Sequence, residues 1–268
     1  MFPQSDLISN PMPNWKQNAS GLKWLEPNWS APSCVKAISS TRIGGESSGP
    51  YSSLNLGSHV GDDGERVINN RRLLQRVCNL PTEPEWLNQV HGCEVAALPE
   101  PGACSLSADA AWTDKPNAVC TVMTADCLPL LLCNAAGSEV AAVHAGWRGL
   151  CDGVIEATIN KFSVHAEELL AWLGPAIGPS AFEVGGEVRD AFMAVDSEAD
   201  TAFKQKENGK WMANIFALAR MRLRKAGVSR VDGGELCTYS DDDHFFSYRR
   251  DGITGRMATM IWIAPEGS

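Results

Sequence analysis

The chain has 268 residues, and its 32 acidic and 23 basic residues give a formal net charge of −9 at pH 7. This length is close to the upper limit for one hydrophobic core, so we expect one large domain rather than two. The acidic balance would repel nucleic acid phosphates, which favours a small-molecule substrate over a nucleic acid partner.

The beginning of the chain differs in composition from the rest. Residues 1–21 are rich in Pro, Asn, Ser and Gln and have no apolar period, which predicts a poorly ordered extension before a single domain over 22–268. Neither a signal segment nor an apolar stretch long enough to span a bilayer is visible. We therefore expect a cytoplasmic protein without a membrane partner, whose nine cysteines are mostly thiols.

The remaining pattern predicts alternating strands and helices. Strands are predicted over 33–40, 118–123, 128–133, 139–143, 169–173 and 256–263, and helices over 64–80, 151–162, 186–195 and 213–226. The three central strands are near-continuous apolar runs, as expected for strands buried on both faces. Because the alternation is not strictly βαβ, it favours an α/β (α+β) fold with a mixed sheet covered by helices.

Three residues in the middle of the chain are candidate metal ligands. They are found in Asn88-Gln89-Val90-His91-Gly92, Thr124-Ala125-Asp126-Cys127 and Ala142-Val143-His144-Ala145-Gly146-Trp147. Cys127 lies between two predicted strands and His144 directly follows a third, so both are expected side by side at strand ends. Thiolate and imidazole bind zinc, and three protein ligands leave a fourth tetrahedral position for water or substrate. His91, Cys127 and His144 therefore predict an open metal site.

The same residues allow other interpretations. A single histidine at a strand end is more often structural than a ligand, and the separations match no short zinc-finger pattern. A fourth ligand, for which Asp126 and Cys93 are candidates, would indicate a closed structural site in a protein that only binds. Cys127 could also be a thiolate nucleophile activated by His91 or His144.

Arginine side chains near glycines are candidates for binding anions. Guanidinium groups suit phosphate and carboxylate oxygens, and neighbouring glycines let backbone N–H groups approach the same anion. The candidates are Arg42 before Gly44-Gly45, Arg148 within Gly146-Trp147-Arg148-Gly149, and Arg249-Arg250 followed by Arg256. Surface salt bridges are the alternative interpretation for each.

Six blocks of the sequence resemble the YfiH family. They are Ser40-Thr41-Arg42-Ile43-Gly44-Gly45, Ser53-Leu54-Asn55-Leu56-Gly57, Gln89-Val90-His91-Gly92, Thr124-Ala125-Asp126-Cys127-Leu128-Pro129, Val143-His144-Ala145-Gly146-Trp147-Arg148-Gly149 and Phe246-Ser247-Tyr248-Arg249-Arg250. The resemblance runs from about Leu22 to Ile263. Members are described as laccase-domain proteins, multicopper polyphenol oxidases, purine nucleoside phosphorylases or peptidoglycan editing factors.

The resemblance implies a fold, a metal and an activity. The fold is a single α/β/β/α domain with a mixed sheet, similar to the catalytic domain of cytotoxic necrotizing factor toxins. The implied cofactor is one zinc ion held by His91, Cys127 and His144. The implied reaction is phosphorolysis of adenosine, guanosine, inosine or methylthioadenosine to free base and a ribose 1-phosphate, with deamination of adenosine as a second reaction.

These implied reactions assign further roles. Phosphorolysis needs a bound phosphate, which zinc together with Arg42 or Arg148 could hold, and Arg249 is a further candidate for substrate binding. Deamination needs water activated at zinc and a separate carboxylate, for which Asp126 and Asp109 are both candidates. The sequence leaves the oligomeric state open.

Two alternative activities share the predicted site. A multicopper oxidase needs on the order of ten histidines, and the chain has five, so laccase chemistry ranks low although the site could take up copper. The editing-factor name suggests an amidohydrolase that trims peptidoglycan precursors, using Cys127 or zinc.

Overall fold

The strands and helices of the protein follow one another much as the sequence pattern predicts. The computed structural model describes residues 13–99 and 106–265. The strands are β1 (Asn14–Gln17), β2 (Lys23–Glu26), β3 (Val35–Ser40), β4 (Val95–Ala97), β5 (Ala110–Thr113), β6 (Cys120–Thr124), β7 (Leu128–Asn134), β8 (Val140–Ala145), β9 (Leu169–Leu173), β10 (Glu183–Val184), β11 (Phe203–Gln205), β12 (Trp211–Ala213), β13 (Arg230–Gly233) and β14 (Met257–Ile263). The α-helices are α1 (Gly64–Val77), α2 (Trp147–Asp152), α3 (Val154–Ile159), α4 (Gly186–Val195), α5 (Ile215–Lys225) and α6 (Tyr248–Asp251).

These strands form two large sheets and one small sheet. The first sheet is antiparallel throughout and has the order β1-β2-β3-β14-β6. The second sheet has the order β13-β9-β7-β8-β5-β4, with antiparallel pairs in the centre and a parallel pair at each edge. The small sheet has the order β10-β12-β11. The prediction of a mixed sheet is therefore confirmed.

The two large sheets pack face to face, and helices cover their outer faces. Successive side chains of a strand point to opposite faces of its sheet. In β7, Leu131 and Cys133 lie in the core between the sheets together with Val122 of β6. Leu130 and Leu132 lie in the core on the other side, to which α3 and α5 contribute. Because α1 packs on the outer face of the first sheet, the layers have the predicted α/β/β/α order.

The three central strands are buried along their whole length. Every residue of β6, β7 and β8 is buried, as continuous apolar runs predict. β8 extends two residues beyond the predicted strand over 139–143, so His144 lies inside the strand and not after it. The strand therefore restricts the position of this histidine more than the sequence suggests.

The predicted helix over 151–162 is wrong, because two short helices occupy this region. Gly153 adopts a left-handed conformation with φ of 108°, ending α2 and preceding α3, and glycine reaches that conformation without strain. α2 begins at Trp147, so its first turn directly follows β8. The longest helix in the described residues is α1, with 14 residues. No helix in this part of the chain has the length and apolar character needed to cross a membrane.

Part of the predicted N-terminal extension is a strand. β1 pairs with β2, with Trp15 opposite Leu25, and the Trp15 ring stacks on His244 with ring centroids 4.6 Å apart. A strand of four residues with one anchoring aromatic is too short to produce a recognisable period. The prediction of poor order is therefore wrong for Asn14–Gln17, while residues 1–12 of that extension lie outside the described residues.

Candidate metal centre

Strand pairing brings Cys127 and His144 together. β7 and β8 are antiparallel, with Leu128 opposite Ala145 and Pro129 opposite His144. Cys127 directly precedes β7, so it lies next to the end of β8. His91 comes from the loop before β4, where its φ of 61° turns the chain. The structure thus brings together the three residues that the sequence predicted as a group.

The three side chains are close enough to share one metal ion. Sγ of Cys127 lies 3.9 Å from Nε2 of His91, and the candidate ligand atoms of all three residues lie within 4.8 Å of one another. Zinc–sulfur bonds of about 2.3 Å and zinc–nitrogen bonds of about 2.0 Å place such ligands about 3.6 Å apart in a tetrahedral site. The side chains therefore fit zinc after small movements.

Gly146 leaves the space in which the three side chains meet. A Cβ atom on this residue would lie 2.9 Å from Cδ2 of His91 and 3.1 Å from Sγ of Cys127. Gly149 has a similar role, because its Cβ would lie 2.7 Å from the carbonyl oxygen of Gly92. The two glycines of the Gly146-Trp147-Arg148-Gly149 motif thus allow the start of α2 to pack against the loop of His91.

Asp109 orients two of the three candidate ligands. Its Oδ1 lies 2.8 Å from Nδ1 of His144 and accepts a hydrogen bond from the backbone N–H of His91. Its Oδ2 accepts hydrogen bonds from the backbone N–H groups of Val90 and Gly92. This arrangement leaves Nε2 of His144 for a metal, and it is the carboxylate–histidine pairing common around zinc.

The electrostatic environment favours the ligand form of Cys127. Burial raises the pKa of its thiol, but His144 and His91 outweigh burial and lower the pKa to about 6. Burial lowers the pKa of His144, but Cys127 and Asp109 outweigh it and raise the pKa to about 9. Burial likewise opposes ionisation of Asp109, whose pKa is nevertheless lowered by the hydrogen bonds from His144 and the Gly92 N–H. Cys127 is therefore readily available as a thiolate.

Asp126 connects the loop of Cys127 to the start of α6. Its carboxylate accepts hydrogen bonds from Oγ1 of Thr238 at 2.6 Å, Oγ of Ser247 at 3.0 Å and the backbone N–H of Arg249 at 2.7 Å. Its φ of 92° lies in the left-handed region, a strained conformation for a non-glycine residue. The carboxylate is therefore held by these partners and is not free to become a ligand.

The described residues provide no fourth protein ligand. The group of His91, Cys127 and His144 contains no further His, Cys, Asp or Glu within the described part of the chain. The thiol of Cys93, the other candidate, donates a hydrogen bond to the carbonyl oxygen of Gly149. A metal held here would thus keep an open position, as a catalytic zinc site does.

A cavity of about 250 Å³ lies beside His91 and Cys127. Its other lining residues are Ala125, Asp126, Trp147, Arg148, Ile177, Phe182, Ile215, Tyr248 and Arg249. Tyr248 belongs to a block that carried the family resemblance, but Ile177, Phe182 and Ile215 come from apolar stretches with no distinguishing signal. The sequence therefore predicted the polar residues of the cavity better than its apolar walls.

The predicted arginines are divided between the cavity and its surroundings. The Arg148 guanidinium lies 4.4 Å from the centre of the Trp147 ring, and Arg249 donates a hydrogen bond to the carbonyl oxygen of Glu183. Both line the cavity. Arg42 does not line it: its Nε and Nη1 donate to the carbonyl oxygens of Ser52 and Asp242. Arg42 therefore lies outside this cavity, and its place beside an anion stays a prediction.

Comparisons with known proteins identify the family. The family model described as "Multi-copper polyphenol oxidoreductase laccase" matches residues 36–264. The chain belongs to this family. A curated relative, "Purine nucleoside phosphorylase YfiH" of Escherichia coli (strain K12), is 56% identical over 241 residues, covering 90% of this chain and 99% of the relative. "Purine nucleoside phosphorylase PA4543" of Pseudomonas aeruginosa is 54% identical over 241 residues, covering 90% of this chain and 98% of that protein.

Solved structures of similar proteins agree with the fold. Neisseria meningitidis protein NMB0706 superposes with a TM-score of 0.87 at 49% identity, covering 90% of this chain and 99% of that chain. YlmD from Geobacillus stearothermophilus gives a TM-score of 0.85 at 29% identity, covering 94% and 100%. The YfiH resemblance and the single mixed α/β domain predicted from the sequence are therefore confirmed.

The copper chemistry in the name of the laccase family does not fit the residues of this chain. The group of His91, Cys127 and His144 is the one cluster of three or more potential metal ligands within residues 13–99 and 106–265. A three-copper cluster needs many more histidines. Among the histidines outside this group, His244 already contacts Trp15, Lys23 and Asp241. The site suits one metal ion.

Proposed function

We propose that this member of the laccase family is a zinc-dependent purine nucleoside phosphorylase. Its substrates would be adenosine, guanosine, inosine or methylthioadenosine together with phosphate, and its products the free base and a ribose 1-phosphate. Relatives with 56% and 54% identity carry the name purine nucleoside phosphorylase. The observation that carries the proposal is a three-ligand group that opens onto a cavity with aromatic walls and two guanidinium groups. The cytoplasmic location stays a prediction.

The apolar walls of the cavity suit a purine base. Trp147, Phe182 and Tyr248 line the cavity with aromatic side chains, and Ile177 and Ile215 add aliphatic ones. Aromatic rings bind flat heterocycles by stacking, which depends little on the substituents of the base. Such walls would accept adenine, guanine and hypoxanthine alike.

The polar groups suit the anionic part of the reaction. Arg148 is exposed at the cavity, where its guanidinium can donate to phosphate oxygens. When bound, zinc would supply a Lewis acid with an open fourth position. Asp109 keeps His144 in the orientation needed for a ligand, and Asp126 fixes the start of α6, which carries Tyr248 and Arg249. Each carboxylate thus positions groups that contact metal or substrate.

Deamination of adenosine is proposed as a second reaction of the same cavity. Replacing the amino group with water requires a carboxylate that moves protons near the purine ring. Asp126 lines the cavity, whereas Asp109 is directed toward His144 and three backbone N–H groups. We therefore propose Asp126 for this role, which would require its carboxylate to release the hydrogen bond from Thr238 or Ser247. Unchanged deamination by a folded Asp126→Asn variant would contradict the assignment.

The environment of Cys127 favours a second candidate function. A thiolate beside two histidines is the arrangement of a cysteine nucleophile, and it would suit an amidohydrolase acting on peptidoglycan precursors. The two functions differ in the metal they require, because the phosphorylase needs bound zinc and the nucleophile needs Cys127 free of zinc. Amide hydrolysis that survives zinc removal and is abolished by alkylation of Cys127 would support the nucleophile, because a thiolate bound to zinc is a poor nucleophile.

Product analysis tests the proposed function directly. Adenosine is incubated with zinc-loaded protein, with and without phosphate, and the products are identified by mass spectrometry. We expect adenine and ribose 1-phosphate only with phosphate, and inosine in both buffers. His91→Ala should abolish both reactions, whereas the matched change His165→Ala, at an exposed histidine outside the cavity, should abolish neither. Wild-type activity of the folded His91→Ala variant would refute the metal-dependent function.

A further inference from the structure

His91 is held in the metal centre by its backbone rather than by packing of its side chain. Its side chain is exposed, whereas His144 is buried and Cys127 is half-buried. Its φ of 61° lies in the left-handed region, which a residue with a Cβ adopts only where the surrounding structure enforces it. The segment of residues 88–92 therefore needs firm contacts outside itself to keep the imidazole within reach of a metal.

Gln89, two residues before His91, joins this segment to strand β6. Its Oε1 accepts a hydrogen bond of 2.7 Å from the backbone N–H of Met123. Its Nε2 donates a hydrogen bond of 2.8 Å to the carbonyl oxygen of the same residue. A carboxamide can form both bonds because it carries an acceptor and a donor side by side, as a peptide group does. The Gln89 side chain thus pairs with Met123 as a neighbouring strand would.

β6 has room for this partner because it is the last strand of the first large sheet. Within the described residues, the order β1-β2-β3-β14-β6 leaves one side of β6 without a neighbouring strand, and such an edge presents unpaired N–H and C=O groups. Met123 lies opposite Ala258 of β14. In an antiparallel ladder, alternate residues turn both backbone groups away from the partner strand, and both groups of Met123 bind Gln89. The sheet edge therefore offers the Gln89 amide one fixed position.

Met123 also connects this contact to a second candidate ligand. The chain continues from Met123 to the end of β6 at Thr124, and Cys127 follows three residues later. Every residue of β6 is buried, so this side of the contact cannot move without disturbing the core. Gln89 therefore fixes the His91 segment relative to the strand that leads to Cys127.

A second contact holds the same segment from the opposite side. Asp109, which directly precedes β5 of the second large sheet, accepts hydrogen bonds from the backbone N–H groups of residues 90–92. Gln89 adds the contact with the first large sheet. Without Gln89, Asp109 would hold residues 90–92 from one side, and the imidazole of His91 could turn away from Cys127 and His144.

We propose that Gln89 is a positioning residue of the metal centre, which keeps the imidazole of His91 in place for a metal and slows its release. The inference rests on the zinc site of the proposed function, but it does not depend on the reaction catalysed there. Gln89→Glu keeps the size of the side chain and replaces its donor with a second acceptor, whereas Gln89→Met keeps the length and removes both hydrogen bonds. Both changes break the contact with Met123 without removing a ligand.

The rate of zinc release into an excess of chromogenic chelator tests this role. Gln89→Glu and Gln89→Met should raise the dissociation rate constant of zinc by about tenfold or more, as expected when a contact behind a metal ligand is lost. The association rate constant should change by less than about twofold, because the three ligands and the open position remain. Gln75→Glu and Gln75→Met, the same exchanges on α1, are the matched controls and should change neither rate constant.

The visible absorption of protein loaded with cobalt(II) in place of zinc separates positioning from a general effect on stability. Cobalt(II) absorbs strongly in a tetrahedral site and weakly when water raises its coordination number. At saturating cobalt(II), Gln89→Met should weaken these bands and Gln75→Met should preserve them. Thermal unfolding of the metal-free protein checks the fold of each variant.

The outcomes distinguish this inference from the proposed function. Faster zinc release and weaker cobalt bands in folded Gln89 variants support the positioning role even if phosphorolysis is never observed. Unchanged release and unchanged bands overturn the role and leave the proposed function intact. A lower unfolding temperature of the metal-free variants with unchanged zinc release also overturns it, because the contact would then be purely structural. Wild-type protein that binds no zinc overturns both.

Discussion

Replacing Gly146 with alanine tests whether the space at this residue controls metal binding. A Cβ at this position would lie 2.9 Å from Cδ2 of His91, and normal carbon–carbon contact needs about 3.5 Å, so the His91 ring must move by about 0.6 Å. Cys127 is held between two buried strands, whereas His91 lies exposed in a loop. The larger movement therefore falls on His91, although the 3.1 Å contact of the new Cβ with Sγ of Cys127 must also lengthen.

This displacement is large for a metal ligand but small for the fold. Metal–ligand distances tolerate changes of only about 0.2 Å. We predict that Gly146→Ala lowers zinc affinity by about 10- to 100-fold, similar to the loss of an outer contact of a metal site. The unfolding temperature of the metal-free protein should change little, because an exposed loop can absorb the shift.

Competition with a chromogenic chelator measures the zinc affinity, and thermal unfolding of the metal-free protein checks the fold. The control is Gly186→Ala at the start of α4, where an added Cβ meets no atom within 4 Å. Gly186→Ala should bind zinc as the wild type does. Equal affinity of Gly146→Ala and the wild type would refute the reasoning, because the ligands would not need the space that Gly146 leaves.

Three further perturbations test the site. Asp109→Asn weakens the hydrogen bonds to His144 and to the His91 loop, so it should lower zinc affinity by about 10- to 100-fold. It should also lower the free energy of unfolding of the metal-free protein by about 2 to 3 kcal/mol. Urea denaturation that matches the wild type would contradict the positioning role. Arg42→Gln should change the KM for phosphate and the KM for adenosine by less than about twofold, since Arg42 does not line the cavity. A raised KM for phosphate in steady-state kinetics would place Arg42 in the site. Removing zinc from protein that is kept at a free zinc concentration of about 100 times the Kd for zinc should lower the melting temperature by about 5 to 10 °C. An unchanged melting temperature would show that zinc does not bind the folded protein more tightly than the unfolded protein.

The central strands and the ligand group could be predicted because local sequence determines them. The apolar runs of β6, β7 and β8 have no other stable place than the interior. The proximity of Cys127, just before β7, and His144, one residue from the end of β8, then follows, since antiparallel pairing brings these ends together. Strand positions alone do not place His91 in the site, because its loop is held there by hydrogen bonds to Asp109, 18 residues away. Its motif is the sequence feature that indicates it.

Other features depend on contacts that no local pattern reveals. Arg42 is turned away from the cavity by the carbonyl oxygen of Asp242, which is 200 residues distant in the chain. Trp15 is ordered by stacking on His244 from the far end of the sequence. Gly153 divides the predicted helix because it adopts a positive φ, which glycine permits but does not require. In each case the deciding partner is distant or the residue allows two conformations.

Cys127 lies where the chain passes from the first large sheet to the second. β6 belongs to one sheet and β7 to the other, and only residues 125–127 connect them. Both neighbouring strands are buried, and His144 is only 4% exposed, so these two ligands can hardly change position without opening the protein. His91 is exposed. Exchange of the metal should therefore begin with release of His91, and its rate should follow the loop motion rather than the stability of the fold.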